Sequence, residues 1–179
     1  MRSSAILTNC RPCSIVFGKL IVTPLKNPEL GPINFELTVA VDPDHAFEAF
    51  TAEFGQWWPT DSHSLSKKDC IAVDMHPGLG GAIVERARGR ENISWGHVEI
   101  WQPGEHLAFT WHPGWNAGDY TRVAVSFDMN DFGRCVIRLE HKDWHNVGDI
   151  APALRKGYVA GWEYAFGECF AKYLREKRG

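Results

Sequence analysis

Apolar and polar positions begin to alternate abruptly at Ile33. Ile33, Phe35, Leu37, Val39 and Val41 fall on one side of an extended chain, and Asn34, Glu36, Thr38 and Ala40 on the other, which predicts a half-buried strand. Asp42-Pro43 then reads as a helix cap followed by a first-turn proline: the carboxylate can accept a free N–H, and the fixed φ of proline suits the first turn. Ala46, Phe47, Ala49, Phe50 and Phe54 give this helix an apolar side, and Gly55 is expected to end it before Trp57-Trp58-Pro59 opens a loop. Six β-rich runs follow: Cys70–Met75, Ala82–Arg88, Ile93–Trp101, His106–Trp111, Thr121–Met129 and Arg134–His141. The breaks between them are brief, and parallel crossovers need a dozen residues or more, so neighbouring strands are expected to run antiparallel.

The last element reads as one long helix from about Asp149 to Lys177, with Asp149 as N-cap and Pro152 in the tolerant first turn. Ile150, Leu154, Tyr158, Trp162, Phe166, Cys169 and Tyr173 mark an apolar stripe at helical spacing. Gly157 and Gly161 lie within it, each costing about 1 kcal/mol against Ala. Two such glycines imply either close approach to the sheet or space left for a ligand beside the helix. The element order predicts an α+β fold: a seven-stranded, mostly antiparallel, curved sheet with the terminal helix covering its one apolar face. A twisted sheet curling round a helix leaves a cavity between them, the usual setting for a small-molecule site.

Residues 1–31 carry Pro12, Pro24 and Pro28 with no sustained period, and are expected to be a flexible extension outside a domain spanning 32–179. The net charge of −3 gives no long-range attraction to nucleic acid or anionic membrane. No segment reaches the roughly 18 apolar residues of a membrane span, and a cytoplasmic location is expected. Five cysteines, an odd number scattered at 10, 13, 70, 135 and 169, are not expected to form a disulfide framework. Cys10 and Cys13 have CxxC spacing, but no second pair follows at zinc-ribbon distance; Asp61, His63 and His76 likewise lack metal-ligand spacing, so neither metal nor cofactor is expected. There is no Gly-x-Ser-x-Gly, and the Gly78–Gly81 turn leads into a strand rather than a phosphate-cradling helix.

The eight tryptophans change the picture most. Indole is bulky and its N–H wants a partner when buried, so a small domain that carries this many is expected to use some of them as walls of a pocket. On Ile93–Trp101, the period of two puts Trp95, His97, Glu99 and Trp101 on one face and Val98 and Ile100 on the other; either face can be the inner one. Ile137, Leu139 and His141 share a face, which points His141 inward. Glu85 alternates with Ile83, and is expected either to face inward or to pair with a neighbouring arginine at the surface. His63 is placed on a loop at the pocket mouth, with His112 and Trp115 on the loop opposite.

Several phrases in this order resemble the START-like helix-grip superfamily, also called SRPBCC. They are Val41-Asp42-Pro43 to Ala46-Phe47, Phe54-Gly55-Gln56-Trp57-Trp58-Pro59 with His63, and Pro77-Gly78-Leu79-Gly80-Gly81. Further along come Trp95-Gly96-His97-Val98, Pro103 to Trp111, Arg138 to Trp144, and Gly157-Tyr158 to Gly161-Trp162. Within the superfamily, the chain is similar to the bacterial branch named for the activator of the heat-shock-protein-90 ATPase. The resemblance implies the helix-grip fold, in a superfamily whose members bind apolar molecules and some of which are enzymes; the expectation taken from it is a cavity that holds an apolar or aromatic small molecule without catalysis. Trp57, Trp58, Trp95, Trp111, Trp115, Tyr158, Trp162 and Phe166 would line it, with Glu85, His97 and His141 as orienting polar groups. Two alternatives stand beside this reading. One is a cyclase- or hydratase-like enzyme with His97 or His141 as base and Glu85 as acid. The other is a module that docks on a chaperone partner through an exposed apolar patch.

Overall fold

In a computed structural model of the chain, residues 30–116 and 118–177 are described. The CxxC pair and nearly all of the expected N-terminal extension lie outside them. The described chain starts slightly ahead of the expected boundary: Leu30 already packs on a small cluster of Ile33, Trp144, Val147 and Ala151, and Arg155 donates to the carbonyls of Gly31 (2.8 Å) and Pro32 (2.9 Å).

Seven strands form one antiparallel sheet: β1 (Ile33–Val39), β2 (Cys70–Met75), β3 (Ala82–Ala87), β4 (Ile93–Gln102), β5 (His106–Trp111), β6 (Thr121–Met129) and β7 (Cys135–Lys142). Their spatial order is β1-β7-β6-β5-β4-β3-β2. Only the step from β1 to β2 is not a hairpin, and it holds α1 (Pro43–Thr51), α2 (Phe54–Trp57) and α3 (Thr60–His63). Asp42 caps α1 as its position implies, its carboxylate accepting from the His45 N–H at 2.8 Å. α1 stops at Thr51, ahead of Gly55. Gly55 instead allows a close approach: a Cβ there would lie 2.6 Å from the Val73 carbonyl on β2.

The terminal helix departs from its sequence reading at its start and in its middle. It comprises α4 (Ala151–Trp162), a π-helical segment (Glu163–Phe170) and α5 (Ala171–Glu176), preceded by a 3₁₀ stretch, Trp144–Ile150. Ile150, not Asp149, stands at the N-cap, and no side chain caps the helix. The π segment closes i→i+5 hydrogen bonds and adds a residue to the turn. The buried stripe therefore runs Trp162, Phe166, Phe170 and Leu174, while Cys169 and Tyr173 are only half-buried and Ile150 is exposed.

The core lies between the helices and one face of the sheet. Phe50 sits at its centre, against Trp57 (5.2 Å between ring centroids), Phe170 (5.3 Å) and Phe54 (6.1 Å). Strand β4 resolves the choice between its two faces by obeying neither. Its register slips against β3 near Trp95 and against β5 between Val98 and Ile100. Each slip adds a residue and reverses the alternation. Trp95 and Val98 are both buried as a result, and Trp101 packs on Phe47 at 5.1 Å. The bulge also explains Gly96, where a Cβ would lie 1.8 Å from the Thr110 carbonyl on β5.

Candidate functional site

A cavity of about 220 Å³ opens between the inner face of the sheet and α4. Trp58, Trp95, Trp111 and Trp162 form its apolar wall, and Tyr158 and Gly161 contribute from the helix. The indoles pack edge to face around Trp58, with ring centroids 5.5 Å to Trp95, 5.6 Å to Trp111 and 5.8 Å to Trp162. Its mouth is built by His63, Ser64, Leu65 and Lys67 on one side and Pro113 on the other. The two mouth loops touch: a Cβ at Gly114 would lie 3.1 Å from Leu65 Cδ2.

Behind the wall lies a chain of buried polar groups. Trp162 Nε1–H donates to His141 Nδ1 at 2.9 Å, which makes that nitrogen an acceptor and leaves the His141 proton on Nε2. His141 Nε2–H then donates to Thr121 Oγ1 at 2.7 Å, and Thr121 donates to the Trp111 carbonyl at 3.1 Å. Burial pushes the His141 pKa down to about 3, so the ring is neutral and both nitrogens are occupied. Trp111 Nε1–H donates to the Tyr158 hydroxyl at 3.2 Å, and burial raises the Tyr158 pKa.

Glu85 is fully buried, and each of its oxygens accepts a backbone N–H, from Leu65 (2.8 Å) and Ser66 (2.7 Å). It holds the mouth loop in place from β3. Arg86, its neighbour, pairs with Asp74 instead. His63 carries Trp58 at the mouth: its carbonyl accepts the Trp58 Nε1–H at 2.8 Å, and its ring lies against Tyr164 at 5.5 Å. Ser62 Oγ meets His63 Nδ1 at 2.7 Å; burial first, and then the charge of Lys67, lower the His63 pKa.

Of the residues named from sequence, Trp58, Trp95, Trp111, Tyr158 and Trp162 converge on the cavity. Trp57 does not: it is core, its Nε1–H held by the Ala49 carbonyl at 3.0 Å and its ring packed on Phe170 at 4.8 Å. Phe166 stacks on Phe170 in the same core at 5.8 Å. Trp115 packs on Tyr158 at 5.9 Å from the loop after β5, beside the cavity rather than in its wall. Glu85 and His141 face inward as expected, but as supports for the mouth and the wall. His97 is corrected outright. The bulge turns it to the exposed outer face of the sheet, where Nδ1 meets Thr110 Oγ1 at 3.1 Å. Glu99 shares that side, paired with Arg122 at 2.7 Å. Ser64, Leu65, Lys67 and Pro113 had no signal in the sequence, because loop residues without a period cannot be assigned a face.

Among the described residues no group of His, Cys, Asp or Glu is arranged to hold a metal ion, and no helix is long and apolar enough to cross a membrane. Exposed apolar residues such as Leu79 and Phe132 occupy separate hairpin turns.

Comparison with known proteins gives the same fold. The anthrahydroquino-Gama-pyrone synthase Txn09, solved complexed with SUM, is 30% identical over 72% of this chain and 86% of its own, with a TM-score of 0.50. The self-sacrificing resistance protein CalC from Micromonospora echinospora is 19% identical over 82% of this chain and 96% of its own, with a TM-score of 0.60. Protein MLL2253 from Mesorhizobium loti is 16% identical over 83% and 98%, with a TM-score of 0.56. A search of curated proteins returns no significant match. The profile described as activator of Hsp90 ATPase homolog 1-like protein matches residues 40–175. With the seven-stranded antiparallel sheet wrapped on a long terminal helix, this match makes the chain a member of the activator of Hsp90 ATPase homolog 1-like family, within the START-like helix-grip fold.

Proposed function

We propose that the chain binds a small aromatic molecule in the cavity between the sheet and α4. The observation that carries this reading is the indole wall around a cavity of about 220 Å³ that opens at a mouth of polar side chains. An apolar cavity of about 150 Å³ is enough to bind benzene. The space here suits one ring or two fused rings, and a larger ligand requires the mouth loops to part. Removal of apolar ligand surface from water contributes about 25 cal/mol per Å². The name of the 30%-identical synthase, which refers to an anthrahydroquinone and a pyrone, supports aromatic ligands as the class.

The hydrogen bonds weigh against a His/Glu catalytic pair. His141 has both ring nitrogens engaged, and Glu85, which holds the Leu65 and Ser66 N–H groups, does not line the cavity, so the two do not meet a ligand there as a base and an acid.

The test is calorimetric titration with 2-naphthol. Saturable one-to-one binding that Gly161→Leu abolishes, while the variant keeps its cooperative unfolding, supports the reading. Absence of saturable binding, or binding that Gly161→Leu leaves unchanged, overturns it.

A further inference from the structure

We infer that the cavity selects planar aromatic molecules bearing an anionic oxygen, of the aryl carboxylate or acidic hydroxyaryl class. The inference rests on the binding reading above and names the ligand it implies. Four tryptophans line the cavity, and three of their indole N–H groups are already used. Trp58 donates to the His63 carbonyl, Trp111 to Tyr158 and Trp162 to His141. The fourth, Trp95 Nε1–H, is buried and has no partner among the described residues. A buried donor left unpaired is costly, so a site that keeps one is built for an acceptor to arrive.

Tyr158 points to the same ligand chemistry. Its hydroxyl oxygen accepts from Trp111, so its own hydrogen remains to be donated. At the mouth, the Lys67 ammonium gives one hydrogen to the Ser62 carbonyl at 2.8 Å and has two more. Lys67 is also held at φ 51, a left-handed conformation uncommon for a non-glycine residue. Among the described residues, no aspartate or glutamate lines the cavity. The buried carboxylate Glu85 turns both oxygens to the mouth-loop N–H groups of Leu65 and Ser66. The lining thus offers donors and one positive charge around aromatic faces, a surface complementary to an aromatic anion.

The test compares three probes of one shape by calorimetry: 2-naphthoate, 2-naphthamide and 2-methylnaphthalene. Naphthoate is expected to bind about tenfold tighter than naphthamide, the gain of a charge-assisted over a neutral hydrogen bond. Naphthamide should in turn bind more tightly than methylnaphthalene. Lys67→Gln should remove the naphthoate advantage and Lys67→Arg should retain it. Trp95→Phe should bring naphthamide down towards methylnaphthalene. If naphthamide or methylnaphthalene binds the wild-type protein as tightly as naphthoate, the ligand class is wrong while cavity binding stands. If none of the three binds, the cavity reading fails with it.

Discussion

Gly157 and Gly161 sit four residues apart in α4, and the same substitution at each should have the same effect on stability but weaken binding only at Gly161. Replacing either by alanine removes the helix penalty of glycine, about 0.8–1 kcal/mol, partly by restricting the unfolded chain. A Cβ at Gly157 meets nothing within 4 Å, and one at Gly161 meets only the His63 ring, Nε2 at 3.7 Å and Cδ2 at 3.9 Å, ordinary contacts. Neither variant is strained, so each should raise the unfolding temperature by about 2–4 °C for a domain of this size. The new methyl of Gly161→Ala, however, enters a cavity of only about 220 Å³. Forcing a two-ring ligand past it costs about 1–3 kcal/mol, as overpacking does in cores, which is roughly a tenfold loss of affinity or more. Thermal unfolding followed by circular dichroism, and calorimetry with 2-naphthol, measure the two effects separately. Equal weakening of binding in both variants, or full affinity in Gly161→Ala, would refute the placement of the site. Destabilisation by Gly161→Ala would refute the view that the glycine serves ligand space rather than backbone geometry.

Other outcomes follow from the buried polar groups. Burial pushes the His141 pKa down from the ordinary imidazole value near 6.5 to about 3, so its contribution to stability is complete above about pH 6.5 and is lost as pH falls towards 3. Between pH 7.5 and 5 this amounts to about 2 kcal/mol. His141→Gln, which cannot charge, should flatten that part of the slope in urea titrations; an unchanged slope would show that His141 is not its source. Glu85→Gln confronts a backbone N–H with an amide NH2 and should cost about 2–3 kcal/mol. It should also speed hydrogen exchange at Leu65 and Ser66, and unchanged protection there would contradict the latch. Burial raises the Cys135 thiol pKa to about 11, so Cys135 should escape iodoacetamide at pH 8 while half-buried Cys70 and Cys169 react. Peptide mapping that found Cys135 alkylated in the native protein would contradict its placement.

The strands, their antiparallel order and the covering helix were legible because half-buried strands alternate and amphipathic helices repeat. The cavity lining was legible only where side chains were distinctive. Trp58, Trp95, Trp111, Tyr158 and Trp162 stood out as aromatics in different elements, and the fold brings them together. Trp57 and Phe166 looked the same in sequence, yet pack in the core, because no local signal tells which side of an aromatic layer a ring will take. His97 was misplaced because a bulge leaves no periodic mark; Gly96, the one hint, needed the Thr110 carbonyl opposite it to be understood. The π segment shifted the helical stripe from Cys169 and Tyr173 to Phe170 and Leu174 for a similar reason: one extra residue per turn is invisible until the hydrogen bonds are known.

The most direct measurement is a 2-naphthoate titration followed by the indole N–H resonances in a ¹⁵N–¹H correlation spectrum. The signals of Trp58, Trp95, Trp111 and Trp162 are expected to shift together and saturate, with Trp95 moving most as its free N–H gains an acceptor. Trp57 and Trp101, outside the cavity, should stay in place. Uniform small shifts, or movement confined to Trp101 or Trp57, would contradict a binding site between the sheet and the terminal helix.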